Sequence, residues 1–154
     1  MAATDKGVWD LQEVRDKQLQ SEWEYVQQMN LFMTGVGNQG SMGINEGDGV
    51  YRSSPTQLPG SWTSFSASYH NAVGVKGDGT LWSWGQNSDG SVGDESTTSY
   101  SSPVQVGSGT DWDKVLMQNP GSCFATQTDG TLWSWGNNEK GQLGHNNKTD
   151  YSSP

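Results

Sequence analysis

Apolar residues in this chain follow two rhythms. Over residues 8–19, Val8, Leu11 and Val14 recur every third position, with Leu19 further on, and Gln, Glu, Asp, Lys and Arg fill most of the gaps. That spacing returns side chains to one face of a helix, so the stretch predicts a short helix over residues 8–19. Thr4 or Asp5 suits its cap, and Asp10 places a negative charge near its positive end. The stripe is thin, and an isolated helix of this length is marginal in water. It therefore needs a surface, either the rest of its own chain or another subunit.

From about residue 30 the rhythm shortens to two. "NAVGV" (Asn71 to Val75) and "TLWSW" (Thr80 to Trp84) read as strands, with "KGDG" between them as a tight turn. Alternation puts Trp82 and Trp84 on one face of their strand and Leu81 and Ser83 on the other. "CFATQTDGTLWSW" repeats this hairpin plan. The octapeptide "DGTLWSWG" occurs twice, at Asp78–Gly85 and Asp129–Gly136.

The repetition extends beyond that octapeptide. Leu31–Gly43, Leu81–Gly93 and Leu132–Gly144 align at offsets of 50 and 51, and "SSP" follows each, ending at Pro55, Pro103 and Pro154. Trp62 and Trp112 follow the first two at a similar interval. A unit of about 50 residues, with room for roughly four short strands, outranks any single motif as evidence. The chain divides into an arm over residues 1–28 and a repeat region over residues 29–154. The units fall near 29–80, 81–131 and an incomplete 132–154. The fold class is mainly β, with antiparallel blades amounting to about two and a half repeats and an N-terminal helical arm.

Composition supports turns and aromatic faces. Only 31% of the 154 residues are hydrophobic, yet there are 21 Gly, 8 Trp and 5 Tyr. Glycine serves the turns and the rings supply apolar area. The formal net charge of -9, with scattered Lys and Arg, disfavours nucleic acid and anionic membrane as partners. No apolar run reaches the roughly 20 residues that span a bilayer, so membrane insertion is not expected. Cys123 stands alone, which excludes an intrachain disulfide and a cysteine-based metal site.

"TDGTLWSWGNNEKGQLG" (Thr128 to Gly144) resembles the repeat of the regulator of chromosome condensation family. The likeness is good over Gly77 to Gly93 and degenerate over Leu31 to Gly43, where Phe32 and Thr34 replace both tryptophans. The resemblance implies that each repeat supplies a four-stranded blade of a β-propeller, typically of seven blades. The family's best-known member is a nucleotide-exchange factor on chromatin, a role that does not transfer to a short acidic chain without a basic tail. "GVWDLQEVRDKQL" (Gly7 to Leu19) has a shorter likeness, to virion structural proteins of tailed bacteriophages.

Seven blades of 50 residues need about 350 residues. Two and a half units leave three expectations: an N-terminal piece of a longer protein, several chains pooling blades, or an open stack against a partner. Each exposes sheet edges unless another chain covers them, so a homo-oligomer is expected.

Catalytic chemistry is poorly represented. His70 precedes a strand, but Gly121 stands at its counterpart; His145 sits in the polar loop "GHNNKTD". "GVGNQG" (Gly35 to Gly40) fits a dinucleotide fingerprint by letters but lacks the flanking strand and helix, and reads as a loop. Glu46, Asp48, Asp94 and Glu95 lack the ordered spacing of a calcium loop. No catalytic residue, cofactor or metal is expected. Trp82, Trp84, Trp133 and Trp135, each pair closed by Gly85 or Gly136, are expected to pack between blades, with stacking on a host-surface glycan as the alternative. The function expected is a non-enzymatic virion structural protein, a tail or neck fibre or a capsid decoration. Val8, Trp9, Leu11 and Val14 would dock on tail, neck or capsid proteins. The rivals are a cellular propeller-type protein-binding module, regulating a small GTPase, and a glycan-binding adhesin.

Overall fold

The computed structural model describes residues 29–46 and 49–154. The helix expected over residues 8–19 lies outside the described residues, and so do the docking residues Val8, Trp9, Leu11 and Val14. Eight strands run in chain order: β1 (Met29–Gly37), β2 (Val50–Ala67), β3 (Asn71–Lys76), β4 (Leu81–Gly85), β5 (Tyr100–Gln105), β6 (Trp112–Gln118), β7 (Ser122–Gln127) and β8 (Leu132–Gly136). They form two antiparallel sheets, one in the order β1-β2-β3-β4-β5 and one in the order β6-β7-β8.

The octapeptide builds its hairpin by local bonds. Gly79 takes φ +77° and donates its N–H to the Lys76 carbonyl (2.9 Å). Asp78 Oδ1 then accepts from both the backbone N–H and the hydroxyl of Thr80, and Thr80 Oγ1 accepts the Trp82 indole N–H at 2.7 Å. The same chain of bonds runs through Asp129, Thr131 and Trp133. Asp, Gly, Thr and Trp of "DGTLW" thus each have a partner within the hairpin, which is why those letters recur together. Gly85 and Gly136 close the unit at φ +104° and +91°, where a Cβ would lie 2.1 Å from the His70 and Gly121 carbonyl oxygens.

Alternation along β3 and β4 serves two cores. Ala72 and Trp84 join Leu58 and Trp62 on one side, with Leu31, Phe65 and Trp82 against them. Val73, Val75 and Leu81 point the other way and meet Met117, Cys123, Ala125 and Trp135 of the second sheet. Because β3 is covered on both faces, Asn71 to Val75 are all buried. Gly74 is small for a reason: a Cβ there would lie 2.7 Å from the Trp62 ring.

The expectation of uniformly short strands is corrected by β2, which spans 18 residues and pairs first with β1 and then with β3. The interval from "SSP" to the next Trp explains it. Trp62 follows Pro55 by seven residues, while Trp112 follows Pro103 by nine. The shorter link has no slack for a corner, so the chain runs straight on. The longer one turns through Gly107 (φ +63°) and begins a new sheet at β6.

The two sheets are stitched by side chains. Ser64 and Ser66 hydroxyls accept the backbone N–H groups of Val115 (3.1 Å) and Met117 (2.9 Å), satisfying donors of a strand with β7 on one side only. We expect the Ser64→Ala/Ser66→Ala double variant to lose about 1–3 kcal/mol by urea titration, one part-buried hydrogen bond at each position. A loss no greater than that of Thr97→Ala, on an exposed loop, would show that the bonds hold nothing.

Candidate functional site

Two junctions, related by the repeat, are made by the same contacts. In the first, the Trp84 indole donates to the Ser41 carbonyl (3.1 Å) and Asn45 N–H donates to the Ser101 carbonyl (2.7 Å). In the second, Trp135 donates to Ser91 O (3.0 Å) and Glu95 N–H to Ser152 O (2.7 Å). The "SSP" segment therefore works through its backbone, as a clasp on the preceding unit's loop. Trp84 and Trp135 are fully buried in these junctions.

Trp82 and Trp133 are placed differently. Trp82 is half-buried and Trp133 is 40% exposed. Each stands in a cleft beside its junction, of about 470 Å³ at Trp82 and about 460 Å³ at Trp133. The first cleft contains its own cation, Lys76, with Nζ 3.4 Å from the Trp82 ring centroid and 5.4 Å from that of Trp62. Burial pushes the Lys76 pKa down, and the nearby Asp78 charge partly offsets this. The four tryptophans that the sequence groups together are thus two pairs: one seals the junctions and one lines the clefts.

Two further residues, Asn87 and Asn138, organise the loops and carry no weight in the sequence reading. Both are fully buried. Asn87 Oδ1 accepts Val92 N–H (2.8 Å) while its amide donates to Ser96 O and Asp94. Asn138 does the same for Leu143 N–H and the Thr149 carbonyl. The signal was present: an Asn two residues after each "WG". In the first unit Gly37 stands at that place, and a 3-10 turn at Asn38–Gly40 takes over the loop. "GVGNQG" is accordingly the end of β1 followed by that turn.

The two histidines, Glu46 and the thiol are committed to structure. His70 Nδ1–H donates to Gln86 Oε1 (3.0 Å). His145 Nε2–H meets Ser134 Oγ (2.9 Å), whose own proton goes to the Leu143 carbonyl. Glu46 pairs with Arg52, and Asp48 lies outside the described residues. Cys123 is buried with Sγ on the Ser91 carbonyl (3.1 Å), and burial pushes its thiol pKa far up. Among the described residues no helix is long and apolar enough to cross a membrane.

Asp94 braces the second cleft. Burial acts to raise its pKa, but hydrogen bonds from Tyr100 and Ser96 together outweigh it and hold the carboxyl below its ordinary range. A depressed folded-state pKa stabilises the fold above the unfolded value, near pH 4, and that contribution is lost as pH falls through the folded value. We expect an Asp94→Asn variant to be less stable than the parent at pH 7 and to lose less between pH 4 and pH 2. Parallel acid-unfolding curves would contradict this.

Comparison with known proteins agrees with the geometry. The regulator of chromosome condensation (RCC1) repeat model matches residues 78–117 and 129–154. Protein RCC2 homolog of Danio rerio is 34% identical over 74 residues, 47% of this chain and 15% of that protein. The mitochondrial RCC1 domain-containing protein RUG3 of Arabidopsis thaliana is 30% identical over 83 residues, 53% of this chain and 19% of that one. The crystal structure of Prp20p from Saccharomyces cerevisiae superposes with a TM-score of 0.72 at 20% identity, covering 81% of this chain and 33% of that one. The chain thus aligns with under a fifth of these two relatives and a third of that structure. Residues 78–117 and 129–154 thus match the regulator of chromosome condensation repeat, and the antiparallel sheets share the blade fold of the Prp20p structure.

Proposed function

We propose that this chain is a non-enzymatic protein-binding module that presents the loop-side clefts between its blades to a partner. One observation carries the reading: the histidines and the thiol are tied into the blades, while Trp133 remains 40% exposed in a cleft. A small GTPase is the first partner class to test, because Prp20p, which shares this fold, is described by its binding to Gsp1p and histones. The test is release of a fluorescent guanine nucleotide from a GTPase of that class in the presence of the full chain. Faster release supports a regulator, and binding without faster release supports a scaffold. No binding at 100-fold excess over the GTPase would remove this class.

The homo-oligomer expectation has its own observation. Leu116 and Leu132 are 52% and 68% exposed on the far face of the β6-β7-β8 sheet, beside half-buried Phe124. A second copy covering this face would make the sedimentation coefficient depend on concentration, and Leu132→Glu would abolish that dependence. Docking on virion proteins is carried by the sequence of residues 1–28 alone. Virion incorporation of a chain lacking those residues would remove it.

A further inference from the structure

The two clefts are copies that have diverged at the positions that decide what fits. The repeat maps Trp82 onto Trp133 and Pro103 onto Pro154, and the clefts are nearly equal in volume. It also maps Lys76, the cation over Trp82, onto Gln127, and the neutral rim residues Ile44 and Asn45 onto Asp94 and Glu95. The second cleft has therefore lost its internal ammonium and gained two acidic residues in its lining. Glu95 is exposed and takes part in no ion pair among the described residues.

We propose that the second cleft binds a lysine side chain of a partner protein, its ammonium over the Trp133 ring and beside the Asp94 and Glu95 carboxylates. The first cleft is the template, because Lys76 on Trp82 shows that this geometry accepts a primary ammonium at contact distance from the ring. Cation–π attraction and opposite charge act on the same atom. The chain's net charge of -9 favours a basic segment over an acidic one. Trp112, 8% exposed and lining the same cleft, has an indole N–H without a partner. Trp62 is unpartnered as well, so the orphaned donor belongs to the repeat, and the exchanged charges are what distinguish the second cleft.

This inference rests on the protein-binding reading and is tested separately from it. The full chain is titrated with N-acetyl-trilysine amide and followed by the indole N–H resonance of Trp133, assigned with Trp133→Phe. We expect saturable shifts with a dissociation constant of about 1 mM, no response to N-acetyl-triglutamine amide, and weakening by salt. Gln127→Lys restores the internal cation and is expected to weaken trilysine binding at least tenfold. Equal response to the glutamine peptide, undiminished binding by Gln127→Lys, or a response to chitotriose in place of trilysine would overturn the proposal. GTPase binding that persists in Gln127→Lys after such a result would leave the broader reading standing and this cleft unused.

Discussion

Replacing Trp135 with alanine is expected to lower the unfolding free energy of the full chain by about 3–5 kcal/mol, the range for removing a buried indole and leaving its cavity. The ring is fully buried in the larger core cluster, against residues from both sheets. Its N–H is spent on the Ser91 carbonyl of the preceding unit, so the variant loses packing and a bond between units at once. The same substitution at Trp133, 40% exposed and bonded only within its own turn through Thr131, is expected to cost about 1–2 kcal/mol. Urea titrations followed by far-UV circular dichroism measure both. Equal losses would mean that the two tryptophans of "LWSW" do the same job, and the division between junction and cleft would fail. Trp84 and Trp82 should show the same contrast, with Trp84 the costlier.

The second large effect is at a glycine. Gly93 and Gly144 occupy the same place in successive repeats and share one backbone conformation, φ +85° and +79°. A Cβ at Gly93 would lie 2.6 Å from Trp135 Nε1, while one at Gly144 meets nothing within 4 Å. Gly144→Ala should therefore cost only the left-handed backbone, about 1–2 kcal/mol. Gly93→Ala should cost that and the displacement of Trp135, about 3–5 kcal/mol in all. Since conformation is matched, the difference isolates the contact between units. The double variant Gly93→Ala/Trp135→Ala should lose less than the sum, because removing the ring opens the room that the new methyl needs. Strict additivity would show that the clash is relieved some other way.

These predictions follow the line between what neighbouring letters specify and what they do not. The hairpin "DGTLW" was readable because its bonds join residues two to four apart and its glycine turn has a backbone requirement. The shared face of Trp82 and Trp84 followed from strand alternation in the same way. Their unequal burial did not, since it depends on a loop some forty residues earlier that covers one ring and leaves the other at a cleft. Asn87 and Asn138 were visible as a recurrence, but a polar residue in a loop gives no sign that it is buried with its amide bonded to backbone at both ends. The long β2 hid in a difference of two residues between repeats, which matters only once the chain must turn a corner.

The sequence by itself determined the repeat length, the antiparallel hairpins and the positions of their turns, because all of these arise from short-range bonds and from side-chain alternation. The tertiary structure decided which tryptophan seals a junction, which glycine lacks room for a methyl group, and which cleft holds its own cation. The first two depend on surfaces brought together across some forty residues of chain, and the third on how the hairpin folds Lys76 over Trp82. Identical octapeptides acquire different surroundings when the residues around them differ, at Lys76 and Gln127 within the hairpins and at Asn45 and Glu95 in the preceding loops.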